Sequence, residues 1–288
     1  MHFVQAKTIL TPHSMNIYRG CTHGCIYCDS RSKCYQFYHA FEDVEVKQNA
    51  PELLEETLRK KRKRCMIGTG SMCDPYIPAE KELGLMRRCL EIIERHSFGV
   101  APLTKSDLIL RDIDILARIN QKAKTVVQMT LTTVDDTLCR KLEPGVCTTS
   151  RRFEVLCECR DRNIPTVVWL SPFLPFINDT KENIDALLDY CIRAKVKGII
   201  CFGIGLTLRE GNREYFYEAL ERKFPNSELK ELYIKTFGYS YMCSSPREHE
   251  LMTHIVEVCR KNNIMLGTDS IFKWMEEFPE NKLQPELF

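Results

Sequence analysis

Apolar positions along the chain fall into two alternating spacings. Short apolar and β-branched runs at Cys65–Gly70 (CMIGTG), Phe98–Leu103, Thr125–Leu131 (TVVQMTL), Thr166–Leu170 (TVVWL) and Gly198–Ile204 (GIICFGI) have the length and composition of buried strands. Asn16–Gly20 reads as a shorter strand ahead of them. Between these runs the apolar residues recur every three or four positions, as Leu83, Met86, Leu90 and Ile93 do within Ala79–His96, and this predicts helices. The same reasoning predicts helices over Ala50–Arg62, with Pro51 in the first turn, and over Asp107–Asn120, Asp135–Leu142 and Ser150–Asn163. A helix over Thr180–Lys195 has Asn178 or Asp179 available as its cap.

Strands that alternate with helices imply a parallel sheet, because parallel neighbours need a crossover between them. Strands apolar on both faces suit a sheet covered by helices. Six such units predict an α/β fold, a partial (β/α)6 open barrel of TIM type. After Gly211 the beat changes, with helices predicted at Glu214–Lys223, Glu228–Ile234 and Arg247–Asn263, then a tail or docking segment over 269–288. The expected organisation is a barrel core over 1–210 and a helical extension over 211–288 packed on the same domain.

Composition narrows the functional classes. The 288 residues are 44% hydrophobic and 28% charged, values of a globular chain rather than a disordered one. Forty-one Lys+Arg against 39 Asp+Glu leave +2, so bulk charge announces neither a nucleic acid nor a membrane partner. No apolar run approaches the roughly 18 residues of a membrane helix, and no export signal is visible at the start, so a cytoplasmic protein is expected. Fifteen cysteines without an export signal point to reduced thiols or metal ligands instead of disulfides.

The informative cysteines are in Tyr18-Arg-Gly-Cys21-Thr-His-Gly-Cys25-Ile-Tyr-Cys28, spaced x3 and x2 in one loop. Thiolates at such spacing reach adjacent irons of an iron–sulfur cluster, usually four per cluster. Here the next cysteine, Cys34, stands five intervening residues further on, so three ligands leave one iron open. A structural zinc site, with His23 or His39 as fourth ligand, is the competing reading of the same loop.

This loop, with Tyr27 before the third cysteine, resembles that of the radical S-adenosylmethionine (SAM) superfamily. Later segments resemble its spore-photoproduct-lyase-like, or DNA repair photolyase, branch over roughly residues 14–245. They are Gly68-Thr-Gly-Ser71-Met-Cys-Asp74-Pro-Tyr, Leu103-Thr-Lys105-Ser106 with Arg111-Asp112, Met129-Thr-Leu-Thr-Thr-Val-Asp135-Asp136, Leu142-Glu-Pro144, Ser150-Arg-Arg152 and Pro172-Phe-Leu-Pro175-Phe-Ile-Asn178-Asp179. The resemblance implies an enzyme in which Cys21, Cys25 and Cys28 hold a 4Fe–4S cluster that cleaves SAM reductively, so that a hydrogen is abstracted from an unidentified substrate. It places Tyr27 near the SAM adenine, Gly70, Ser71 and Asp74 at the amino group, Lys105 on the carboxylate, and Thr130 or Thr132 on the carboxylate or ribose. Cys73 is implied as the thiol that returns a hydrogen to the product radical.

Two features depart from the branch or match it loosely. Asp29 follows Cys28 where tyrosine is common, and Phe237-Gly-Tyr239-Ser-Tyr241 resembles the substrate-side segment only in outline. The expected partners are an electron donor such as flavodoxin or ferredoxin and a substrate whose class is open and includes nucleic acid, with no membrane, for a chain acting as a monomer. A lyase splitting thymine photoproducts in DNA is one rival reading, and a non-catalytic iron–sulfur or zinc protein is the other. The basic run Arg59–Arg64 (RKKRKR) precedes a strand and is expected at the closed end of the barrel, as a solvated face. Gly68-x-Gly70 and Gly203-x-Gly205 lack the third glycine of a dinucleotide fingerprint, and His249 and His254 stand five apart, not the four of a zinc-protease helix. A second cluster from Cys139, Cys147, Cys157 and Cys159 is not expected, since Cys157 and Cys159 project from different faces of a helix.

Overall fold

A computed structural model describes residues 1–279. Its main sheet has eight strands in the order Met265–Leu266, Gly198–Ile200, Thr166–Trp169, Val127–Thr130, Gly99–Thr104, Met66–Thr69, Ser14–Met15 and Leu10–Thr11. Every neighbouring pair is parallel except the Leu10–Thr11/Ser14–Met15 hairpin at one edge. The sheet stays open, and helices connect its parallel strands, which is the expected partial barrel. Residues such as Ile67, Val127, Met129, Val168 and Ile199 are fully buried, because parallel strands under helices have no solvent face.

Several boundaries differ from the sequence reading, each for a local reason. The first barrel strand is Ser14–Met15, while Tyr18–Arg19 pairs with Glu45–Lys47 in a separate three-stranded sheet with His2–Val4. The helix predicted over Ala79–His96 is broken at Gly84, whose φ of 60° ends Glu80–Leu83 before Leu85–Arg95 begins. Asp107–Asp112 is a 3₁₀ segment that leads into the helix Ile113–Lys122. Thr180, not Asn178 or Asp179, caps the helix Lys181–Arg193 by accepting from the Asn183 amide. Asn178 instead bonds to the backbone of Leu174 and Thr132, and Asp179 accepts from Ser245.

The region after residue 210 is helical over Asn212–Lys223, Leu229–Phe237 and Glu248–Lys261, but it also supplies two strands that periodicity did not reveal. Met242–Ser244 pairs antiparallel with Gly205–Thr207, and Met265–Leu266 joins the main sheet beside Gly198–Ile200. The residues expected as a tail begin with a helix, Thr268–Glu276, that buries Ile271 and Met275 under the sheet and is held through its Trp274 and Glu277 carbonyls by Lys124. The rest of that segment, 280–288, lies outside the described residues. Arg59–Arg64 runs into the start of Met66–Thr69, at the end of the barrel opposite the loops described next. Among the described residues no helix is long and apolar enough to cross a membrane.

Candidate active site

The loops that follow the C-terminal ends of the parallel strands build the site. The cysteine loop is clamped on two sides. Cys21 N–H donates to the Phe41 carbonyl (3.1 Å), Ile26 N–H to Leu142 (2.9 Å), and the Gly145 N–H to His23 (2.8 Å). Gly20 has φ +87°, and a Cβ there would meet the Phe41 oxygen at 2.5 Å, so the chain can enter the loop only through glycine. Held this way, Cys21, Cys25 and Cys28 line one compact cavity of about 100 Å³ with His23, Gly70–Asp74 and Leu103–Lys105. The neighbouring Cys73 thiol holds Cys21 well below the usual thiol range, and His23 adds to the effect. Burial pushes the Cys25 and Cys28 thiols up.

A cleft of about 400 Å³ opens beside this cavity and shares Cys28, Gly70–Met72 and Lys105 with it. Tyr27, Thr130, Trp169, Phe202, Met242 and Glu248 line the rest. Lys105 stands at the junction. Its ammonium has no hydrogen-bond or ion-pair partner among the described residues, yet Cys25, Glu143 and Asp74 outweigh its burial and hold it above the usual lysine range. Trp169 is fixed by a bond from Nε1 to Gln128 (2.8 Å), and Phe202 lies edge-on to it at 5.6 Å.

The structure separates the predicted residues. Gly70, Ser71, Tyr27 and Thr130 face the cleft. Asp74 does not offer a free carboxylate: it accepts from the Tyr76 N–H (2.9 Å), the Thr104 hydroxyl (2.7 Å) and the Lys105 N–H (2.8 Å), and stands 3.5 Å from His23 Nδ1. Its oxygens staple together the segments that carry Tyr76, Lys105 and His23. Thr132 is fully buried and lines neither cavity. Cys73 lines the cysteine cavity and not the cleft, with its thiol on the Gly20 carbonyl. Asp29, at the departure from the branch pattern, accepts from Tyr35 (3.0 Å) and pairs with Arg209 (3.4 Å) at the rim.

Sequence reasoning singled out neither Glu143 nor Arg152 as a site residue, although it quoted the segments that hold them. They form a fully buried ion pair at 2.6 Å. The Tyr27 phenol donates to Glu143, and Arg152 donates to the carbonyls of Thr130 (3.1 Å) and Cys147 (3.0 Å). Arg152 and Lys105 outweigh the burial of Glu143 and hold its carboxyl below the usual range.

The family model of the radical SAM superfamily matches residues 15–188. The chain belongs to the radical SAM superfamily. It is therefore a radical SAM enzyme, of the spore-photoproduct-lyase-like kind in fold, and the cofactors of the superfamily are a 4Fe–4S cluster and SAM. An uncharacterized protein of Mycobacterium tuberculosis is 31% identical over 229 residues, covering 77% of this chain and 67% of that one. An uncharacterized protein of Methanocaldococcus jannaschii is 30% identical over 187 residues, covering 62% and 69%. A solved spore photoproduct lyase complexed with dinucleoside spore photoproduct superposes with a TM-score of 0.65 at 12% identity, over 92% of this chain and 80% of that one. The donor set fits the cluster, since three thiols converge on one cavity walled by an unpaired cation that can offset thiolate charge.

Proposed function

We propose that Cys21, Cys25 and Cys28 are the ligands of the 4Fe–4S cluster, and that SAM occupies the inner part of the adjoining cleft. Cluster and SAM together supply a 5′-deoxyadenosyl radical, a hydrogen-abstracting species that the protein itself has no group to generate. The chain's residues bind and orient. The observation that carries this reading is Lys105, a half-buried, partnerless ammonium lining both cavities, which suits the SAM carboxylate. Gly70 lets backbone approach the amino group, Ser71 supplies an acceptor, and Tyr27 and Thr130 flank the adenosyl part. Asp74 is a positioning residue for the Lys105 and His23 loops. Trp169, Phe202 and Met242 give the cleft an apolar wall.

The test is anaerobic reconstitution. Each of Cys21→Ala, Cys25→Ala and Cys28→Ala is expected to abolish a parent cluster of four irons per chain. A full cluster in any of them, or stoichiometric zinc in the cysteine loop, overturns the assignment. A zinc clasp would need neither the second cavity nor its unpaired lysine.

A lyase acting on thymine photoproducts in DNA is the second reading. It is favoured by the stacking of Arg209 over Tyr241 (5.0 Å) and of Arg213 over Tyr239 (5.5 Å), a cationic, aromatic surface suited to bases and phosphates. Against it stand Asp29 at the rim and Glu248, a cleft carboxylate with no partner among the described residues. Hydrogen abstraction from an unidentified substrate is the primary reading. Oligonucleotide binding that weakens by several log units per log unit of salt, with SAM-dependent repair, selects the second. The remaining parts of this reading are a flavodoxin or ferredoxin as reductant and a monomer in a reducing cytoplasm, where fifteen free cysteines would persist.

A further inference from the structure

The small N-terminal sheet carries a group of ligating side chains with no part in the cleft. His2 and Glu45 stand opposite one another across parallel strands, and the loop ahead of Glu45 brings His39 to them. One ligating atom from each lies within 4.8 Å of the other two.

The hydrogen bonds around the two imidazoles set their lone pairs. His2 Nδ1 lies 3.0 Å from the Asp43 carboxylate, and His39 Nδ1 lies 2.9 Å from the Ala40 carbonyl. Both partners are acceptors only, so each Nδ1 carries the proton and each neutral ring keeps its lone pair on Nε2. His39 Nε2 then faces Glu45 Oε1 at 2.8 Å, a contact that either a second ring proton or a metal ion must fill. A metal-ligating histidine has this arrangement, its outer nitrogen donating to a carboxylate or backbone carbonyl.

We propose that His2, His39 and Glu45 bind a divalent transition-metal ion, zinc being the natural occupant of two imidazoles and one carboxylate. Asp43 and Ala40 act as the outer partners that fix the rings. Arg19 Nη1 also holds Glu45 Oε1 (3.1 Å) and takes up part of its charge, so the site binds more weakly than a thiolate site. The ion ties the strand His2–Val4 to the loop over 39–45, and Phe41 in that loop accepts from the Cys21 amide. It therefore braces the approach to the cysteine loop from outside.

The test uses the full chain with its cluster in place. Anaerobically reconstituted protein is stripped of loosely held metal and titrated with zinc chloride; iron and zinc per chain are measured, and X-ray absorption at the zinc edge reads the ligands. One zinc per chain is expected with iron unchanged, bound only by nitrogen and oxygen at about 2.0–2.2 Å. His39→Ala and His2→Ala should abolish it, and Asp43→Asn should weaken it about 10–100-fold as an outer partner. Should a histidine variant misfold by circular dichroism, Asp43→Asn and Glu45→Gln carry the test. Zinc no higher in the parent than in the variants overturns the proposal and makes His39–Glu45 a protonated ion pair. Zinc bound by sulfur at about 2.3 Å overturns it equally.

Discussion

The Tyr27 phenol donates to Glu143, so the residue just before the third loop cysteine rests on a carboxylate whose own partner, Arg152, is equally buried. Through Arg152 the link continues to the Thr130 carbonyl at the floor of the cleft. One buried network thus sets the relative positions of the cysteine loop and the end of a barrel strand.

Removing one partner of a buried pair leaves an uncompensated charge. Glu143→Ala is expected to cost about 3–5 kcal/mol of stability, measured by urea denaturation. Glu143→Gln, which keeps a bond to Tyr27, should cost less and should shift the electron paramagnetic resonance signal that SAM induces in the reduced cluster. Stability equal to the parent in both variants would show that the network carries no load.

Lys105→Ala should retain four irons and bind SAM more weakly by about 1.5–3 kcal/mol, the worth of a hydrogen bond to a charged group. Equilibrium dialysis with labelled SAM measures the loss. Unchanged affinity would move the SAM carboxylate elsewhere.

Cys73 lies on the cysteine side of the site, against Gly20 and Cys21, and not on the cleft. Cys73→Ala is therefore expected to leave SAM binding and 5′-deoxyadenosine release unchanged. The Gly20 carbonyl loses a hydrogen bond, so a slightly lower melting temperature is expected. Failure to return hydrogen to product with SAM cleavage intact is the outcome expected of the donor role that the branch resemblance implies.

Gly70 has φ +99°, and a Cβ there would stand 2.0 Å from the Leu103 carbonyl oxygen. Gly70→Ala must push its loop away from the end of the strand Gly99–Thr104, at a cost of about 1–3 kcal/mol for the backbone conformation alone. A lower melting temperature and weakened SAM binding are expected together. Loss of stability with normal SAM binding would confine the role of Gly70 to folding.

The sequence made the strands of the barrel and the cysteine loop legible, because buried parallel strands are continuous apolar runs and cluster cysteines sit close in the chain. Gly84 was hidden inside a helical period that continues on both sides of it, so periodicity alone bridged the break. Met265–Leu266 is too short to show a pattern, and only its pairing with Gly198 and Ile199 makes it a strand. The Glu143–Arg152 pair joins residues on either side of a loop, and nothing in the composition of either segment announces the partner. Asp74 showed its residue type but not its three donors, two of which come from a loop thirty positions on.

The edge strand Met265–Leu266 bears on how the chain folds during its synthesis. A ribosome releases Gly198–Ile200 more than sixty residues before the strand that covers it, so that edge of the sheet stays unpaired while the intervening helices form. Unpaired edges recruit other strands. The nascent chain is thus most exposed to aggregation late in translation, and stop codons placed after residue 210 should give insoluble product where the whole chain does not.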